Sequence, residues 1–369
     1  MTRAHLLFST LTAVLLTAVA ARAQNKTATW LQQNFQARTH YSVPRSDSMK
    51  YRLYVPVGYN PAQKYPIVVA LHGIGERGYN NVNQLTLEEL AQPWVRDSVQ
   101  AKHPHFVMVP QCPTNQLWWP SGTWSGTRSK PNIMITELID SLKKEYSLDT
   151  TRFYAVGLSM GGFGAIELMK WRPELWAAAI PTAGGGDTAA TAIAELVKTP
   201  TWFFHSLKDP TVSAERGSRT LAKKFEGAGK PVVFFASDSQ RTNIVAYDSL
   251  HPVVTLDSLR KAVYVHNAHY LYSEVRNYPG TGNPLHQAGW WEAWRHPMIT
   301  DWLFSKRKVN GVTSVAPSLS ARPFATANVR VVFREGRMLL EKTVAGPSEK
   351  SATFYTLEGK RVLPAGAAR

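Results

Sequence analysis

Ser159 is the residue best placed for covalent chemistry, because it stands in Gly157-Leu158-Ser159-Met160-Gly161, a G-x-S-x-G pentapeptide where a short apolar run gives way to a helical pattern. Residues 153–156 read as a buried strand. Phe163, Ile166, Leu168 and Met169 supply the apolar positions of a helix that Pro173 ends. A serine at such a corner is forced into a strained backbone that lifts its hydroxyl out of the sheet. The residues two before and two after it must lack side chains so that strand and helix can approach, and Gly157 and Gly161 meet that demand.

A serine hydroxyl attacks an acyl carbon only with a base to take its proton, an acid to orient the base, and donors for the developing oxyanion. Residues 65–71 form a continuous apolar strand that empties into His72-Gly73-Ile74-Gly75. Bare glycine backbone there lets the Ile74 N–H join the Met160 N–H as the expected oxyanion hole. Another apolar strand, 201–204, runs into His205-Ser-Leu-Lys-Asp209-Pro-Thr-Val212, which makes Asp209 the expected acid. Its competing role is capping the helix that follows, and Asp187 in Ala183-Gly-Gly-Gly-Asp187 is the alternative acid. His286, in a loop after a strand expected at 273–278, is the expected base, with His266 and His269 as competitors.

Trp118, Trp119 and Trp124 crowd a Pro/Gly/Ser loop, where they either line a substrate cleft or cover the domain's own edge. The single cysteine, Cys112, forms no internal disulfide and reads as a buried inert thiol. Neither cofactor nor metal is implied, since no closely spaced His/Asp/Glu set has hydrolytic-zinc spacing.

These residues need a scaffold, and the alternation of apolar strands with amphipathic segments such as 132–146 predicts an α/β fold with a mainly parallel sheet flanked by helices. The domain is expected over 24–308, with 238–272 an insertion or cap over the cleft and 290–304 the closing helix. The composition of 309–328 marks a linker, and 329–369 a small β-rich tail. Arg3, the apolar run 11–20 and Ala21-Arg22-Ala23 read as a signal peptide over 1–23, so the chain is expected to be secreted or periplasmic, without a membrane span. The net charge of +16 is concentrated at the end, where twelve Lys/Arg face four acids from Lys306 onward. No nucleic-acid-binding motif accompanies it, so a solvated basic surface is expected and nucleic acid is not.

Taken together, the stretches LHGIGERG (71–78), VPQCP (109–113), GLSMGGFG (157–164), HSLKDPTV (205–212), and YPGTGNPLH with the following WW and DWLF (278–304) resemble secreted serine esterases of the α/β-hydrolase fold. That group contains polyhydroxybutyrate-depolymerase-like, feruloyl and acetylxylan esterases and related peptidases, and the resemblance covers about 51–305. It implies that Ser159, Asp209 and His286 are nucleophile, acid and base, and that residues 73–75 form the oxyanion loop. The implied substrate is a carboxylic ester, an acetyl or feruloyl group on plant cell-wall polysaccharide. A peptidase with the same residues and a non-enzymatic carbohydrate-binding protein are the alternatives. The 238–272 stretch is longer than the family pattern. The tail, through FYTLEGKRV, resembles a curtailed type IX secretion sorting domain, which would make that machinery a partner and the cell surface a destination.

Overall fold

The computed structural model describes residues 25–120 and 126–309 and, beyond them, strands at 312–315, 328–334, 337–345, 350–355 and 361–362. The signal peptide expected at 1–23, Trp124 and most of the linker expected at 309–328 lie outside the described residues.

Ten strands build one sheet: β1 (Phe35–Ser42), β2 (Asp47–Tyr54), β3 (Tyr65–Leu71), β4 (Phe106–Gln111), β5 (Leu148–Leu158), β6 (Trp176–Thr182), β7 (Thr201–Ser206), β8 (Val232–Ser237), β9 (Ile244–Val245) and β10 (Tyr270–Val275). Their order is β1-β2-β4-β3-β5-β6-β7-β10-β8-β9. From β4 across to β8 all neighbours run parallel, whereas β1, β2 and β9 pair antiparallel at the edges. The central strands read as unbroken apolar runs because both faces are covered. Along β3, Ile67, Val69 and Leu71 enter one core while Val68 and Ala70 enter the other.

Helices α1 (Lys130–Glu145), α2 (Met160–Trp171) and α3 (Ser218–Gly227) pack on the first face. The Ser129 side chain caps α1 by accepting the Asn132 N–H, and Pro131 sits in the first turn, where its missing donor costs nothing. Helices α4 (Leu256–Tyr264) and α5 (Asn283–Trp294) cover the second face.

Residues 238–272, expected as an insertion or cap, are spent on the sheet. After β7 the chain crosses through α3 to β8, one place too far out. It lines the edge with β9 and returns through α4 on the opposite face, so that β10 slots between β7 and β8. Leu259, Ala262 and Val263 of α4 are buried against the strands, so this segment covers core rather than cleft. The last parallel strand therefore lies at 270–275, three residues before its expected position. His286 is in the first turn of a helix rather than in a loop. Pro284, read as a loop residue, occupies the one helical turn that tolerates proline. The closing helix expected at 290–304 is two helices, Asn283–Trp294 and Ile299–Phe304, divided around Pro297.

Beyond the domain, the strands at 328–334, 337–345, 350–355 and 361–362 pair antiparallel in chain order, a separate four-stranded sheet where strand-like pieces were expected.

The start of α2 packs backbone against backbone on the ends of β5 and β3. A Cβ on Gly161 would overlap the Leu71 carbonyl, and one on Gly157 would overlap the Gly161 carbonyl. Backbone cannot yield as a flexible side chain can, so Gly161→Ala should lower stability by about 1–3 kcal/mol. Urea unfolding should show the midpoint falling; an unchanged midpoint would mean that strand and helix can separate without cost.

Candidate active site

Ser159 adopts φ 50° and ψ −118°, a left-handed conformation rare for a residue with a Cβ and costing on the order of 1–3 kcal/mol. Its surroundings enforce it. The Ser159 N–H donates to the Thr182 carbonyl at 3.0 Å, the Thr182 hydroxyl donates to the Gly157 carbonyl at 3.0 Å, and the Ser159 carbonyl accepts the Gly162 N–H at 2.8 Å. The hydroxyl thus leaves the sheet at the carboxyl end of β5, where Oγ lies 2.9 Å from His286 Nε2.

On the other side of that ring, His286 Nδ1 lies 2.6 Å from Asp209 Oδ2. An ionised carboxylate only accepts, so Nδ1 carries the proton and Nε2 is left to accept from Ser159. Burial alone would raise the Asp209 carboxyl, but hydrogen bonds from His205 and then His286 outweigh it and hold the group well below the usual carboxylate range. Asp209 Oδ1 accepts the Thr211 and Val212 N–H groups at 2.8 and 2.9 Å. It is therefore not a helix cap, since α3 begins at Ser218 behind Gly217. Trp290 stands edge-on to the His286 ring with centroids 4.8 Å apart, and its indole N–H donates to Glu88 at 3.0 Å.

The competing residues are elsewhere. Asp187 pairs with Lys170 at 2.9 Å and closes its own turn onto the Ala189 N–H. His266 and His269 precede Tyr270, which is in register with Thr201 at the start of β7, so they lie at the amino end of the sheet. Six residues of strand, about 20 Å, separate that end from the Ser159 end.

Ile74 opens a 3₁₀ turn (Ile74–Glu76) directly behind Gly73, and its side chain is exposed. Met160 is the first residue of α2, where an N–H has no acceptor within the helix and the helix dipole favours negative charge. Both N–H groups belong to segments packed beside Ser159: a Cβ on Gly73 would lie 3.7 Å from the Ser159 Cβ. His72 anchors the loop from within. Its buried Nε2 accepts the Cys112 N–H at 2.9 Å, which puts the ring proton on Nδ1, 2.5 Å from the Gly73 carbonyl.

Trp118 was a candidate for substrate contact, and the structure corrects this. It is fully buried, packs on Gly164 of α2, and donates its indole N–H to the His72 carbonyl at 3.1 Å. It backs the 72–75 loop from within the core. Trp119 is half-buried and stacks on Phe163 with centroids 4.7 Å apart. Cys112 is buried, and burial pushes its thiol far up, as an inert role requires. Sequence reasoning missed His205 and Glu88, the partners of Asp209 and Trp290: one is embedded in an apolar strand and the other sits in an ordinary surface pattern, so neither gave a signal. Among the described residues no group of three or more His, Cys, Asp or Glu is arranged to hold a metal ion.

Residues 44–206 match the family model named Esterase. Poly(3-hydroxyalkanoate) depolymerase C of Paucimonas lemoignei is 29% identical over 134 residues, covering 35% of this chain and 30% of the depolymerase. Feruloyl esterase C of Emericella nidulans is 25% identical over 229 residues, covering 57% of this chain and 78% of that protein. The crystal structure of a thermostable esterase is 30% identical, superimposes with a TM-score of 0.60, and covers 75% of this chain and 64% of its own. The chain thus spans under a third of the depolymerase and just under two thirds of the thermostable esterase.

Glu76, at the end of the oxyanion loop, is only 7% exposed, with Oε2 3.9 Å from His72 Nδ1. Burial, with the Glu88 charge adding to it, pushes its carboxyl up from the ordinary 4.5 to about 7 against the opposing Gly73 and Glu76 N–H groups. In the unfolded chain the group ionises near 4.5, so it opposes folding progressively as pH rises from about 4.5 to about 7. Glu76→Gln removes that penalty. Its stability relative to wild type should rise across this window and level off above it, by on the order of 2–3 kcal/mol at most. Thermal melts at pH 5 and pH 8 read this directly, and an equal offset at both would show that Glu76 is ionised throughout.

Proposed function

We propose that this chain, which matches the esterase family model over residues 44–206, is an α/β-hydrolase that hydrolyses carboxylic esters through an acyl-enzyme on Ser159. The observation that carries the reading is the hydrogen-bonded chain from Ser159 Oγ to His286 Nε2 at 2.9 Å and from His286 Nδ1 to Asp209 Oδ2 at 2.6 Å.

In this mechanism Ser159 Oγ bonds to the ester carbonyl carbon as its proton passes to His286 Nε2. Asp209, ionised and buried, stabilises the imidazolium without taking its proton. The carbonyl oxygen gains the negative charge and is met by the Ile74 and Met160 N–H groups. Removing one such donor costs about 100- to 1,000-fold in comparable enzymes. Collapse of the tetrahedral species breaks the bond to the alcohol, which leaves with the proton from His286. Water then repeats the sequence, giving its proton to His286 and releasing the carboxylic acid and free Ser159.

For the substrate we propose acetyl or feruloyl esters on plant cell-wall polysaccharide. The support is similarity to proteins named feruloyl esterase C and acetylxylan esterase/xylanase. We further propose that the protein is exported, on the strength of the Ala21-Arg22-Ala23 pattern, and that its tail is read by type IX secretion machinery. No described helix is long and apolar enough to cross a membrane.

Purified protein offered p-nitrophenyl acetate, methyl ferulate, acetylated xylan and peptide anilides should turn over the esters and leave the anilides. Preference for the anilides would make it a peptidase, and binding of xylan without turnover would make it a carbohydrate-binding protein. Ser159→Ala should lose activity on the order of a million-fold. A fluorophosphonate probe should label Ser159 alone, so labelling elsewhere or a mutant within tenfold of wild type contradicts the assignment.

A further inference from the structure

Asp209 carries more donors than the two groups of the proposed mechanism require. Its Oδ1 accepts two backbone N–H groups, and its Oδ2 faces His286 Nδ1 at 2.6 Å and His205 Nε2 at 3.2 Å. Three hydrogen bonds thus reach the carboxylate, and His205 stands beside the one remaining acceptor position.

His205, the second-to-last residue of β7, is fully buried four residues before Asp209. Its Nε2 also lies 2.9 Å from the Val212 carbonyl. A carbonyl only accepts, so Nε2 carries a proton, which is bonded to Val212 and lies within reach of Asp209 Oδ2 at 3.2 Å. Nδ1 is engaged by the Ser218 hydroxyl at the start of α3, which fixes the ring from behind. The ring therefore ties β7, the Asp209 turn and α3 into one unit.

We propose that His205 is a positioning residue of the esterase site: it fixes the orientation of the Asp209 carboxylate and, by donating to the same oxygen that holds His286, limits how strongly Asp209 favours imidazolium. The inference rests on the proposed roles of Asp209 and His286. A carboxylate with a second imidazole N–H beside the same oxygen is a weaker acceptor, so it holds the imidazolium less tightly and His286 passes its proton to the leaving alcohol more readily. No other side chain competes in the arrangement: Asp209 is faced by His205 from β7 and His286 from α5, His286 by Ser159 and Trp290, and the neighbouring Lys208 is exposed.

The test compares His205→Gln, whose amide nitrogen reaches the place of Nε2, with His205→Met, which keeps the volume and loses the donor. Two readouts are taken: the pH dependence of kcat and KM on p-nitrophenyl acetate, and the NMR titration of the His286 Cε1–H in the free protein. In His205→Met, kcat should fall about ten- to a hundredfold with KM little changed. Both the acid limb of the rate profile and the NMR midpoint should move to higher pH. His205→Gln should restore both toward wild type. If Met is not tolerated, His205→Asn, an amide too short to reach Oδ2, takes its place. A donor-free variant with the wild-type profile and midpoint overturns the proposal, as does His205→Gln behaving like His205→Met. Absence of turnover in the wild type would refute the esterase reading instead, and the NMR midpoint would still report on His205.

Discussion

The structure depends on how closely β5 and α2 approach at Gly157 and Gly161. Because no side chain separates them, the chain must reverse within one residue, and that residue is Ser159 with its positive φ. The strain is held by the Thr182 hydrogen bonds and by a helix buried along its length. A fixed hydroxyl turned out of the sheet and the free N–H groups of a helix start come from the same geometric fact. The proposed nucleophile and part of the proposed oxyanion hole are thus one feature of the backbone.

The loop proposed as the second half of the oxyanion site is set by buried polar groups. Gln111, the last residue of β4, accepts the Asn81 N–H at 2.7 Å and donates to the Glu76 carbonyl at 3.0 Å. Arg52 of β2 donates to the Asn81 carbonyl at 2.7 Å and to the Phe35 carbonyl at 3.0 Å. With His72 bridging to Cys112 and Trp118 bridging to His72, the loop is clamped on both sides. Each of these atoms would cost free energy if left unpaired in the interior, so the clamp resists loosening even though no single bond in it is strong.

His286, the proposed base, arrives by a longer route. The chain overshoots to β8, wraps the edge, and returns to place β10 beside β7, which brings the start of α5 next to the turn after β7. Asp209 and His286, 77 residues apart, meet because two parallel strands end at the same level. Parallel strands need crossovers, and both crossovers here pack their apolar faces on opposite sides of the sheet, so building the site also completes the core.

The sequence by itself determined the fold class, the elbow and the identities of Ser159, Asp209 and His286 as the residues to watch. Those signals are local: apolar runs buried on both faces, glycines that alone permit a close approach, and polar residues placed just beyond strand ends. What it left open were matters of distance between segments. The order β7-β10-β8 decided that 238–272 covers sheet, and register put His266 and His269 at the far end. Trp118 could be read equally as cleft or core until its indole was seen on the His72 carbonyl, since composition does not say which way a loop side chain points. His205 was invisible for the same reason. A histidine inside an apolar strand acquires a role only when the turn and helix that fold against it supply a carboxylate and a hydroxyl for its two nitrogens.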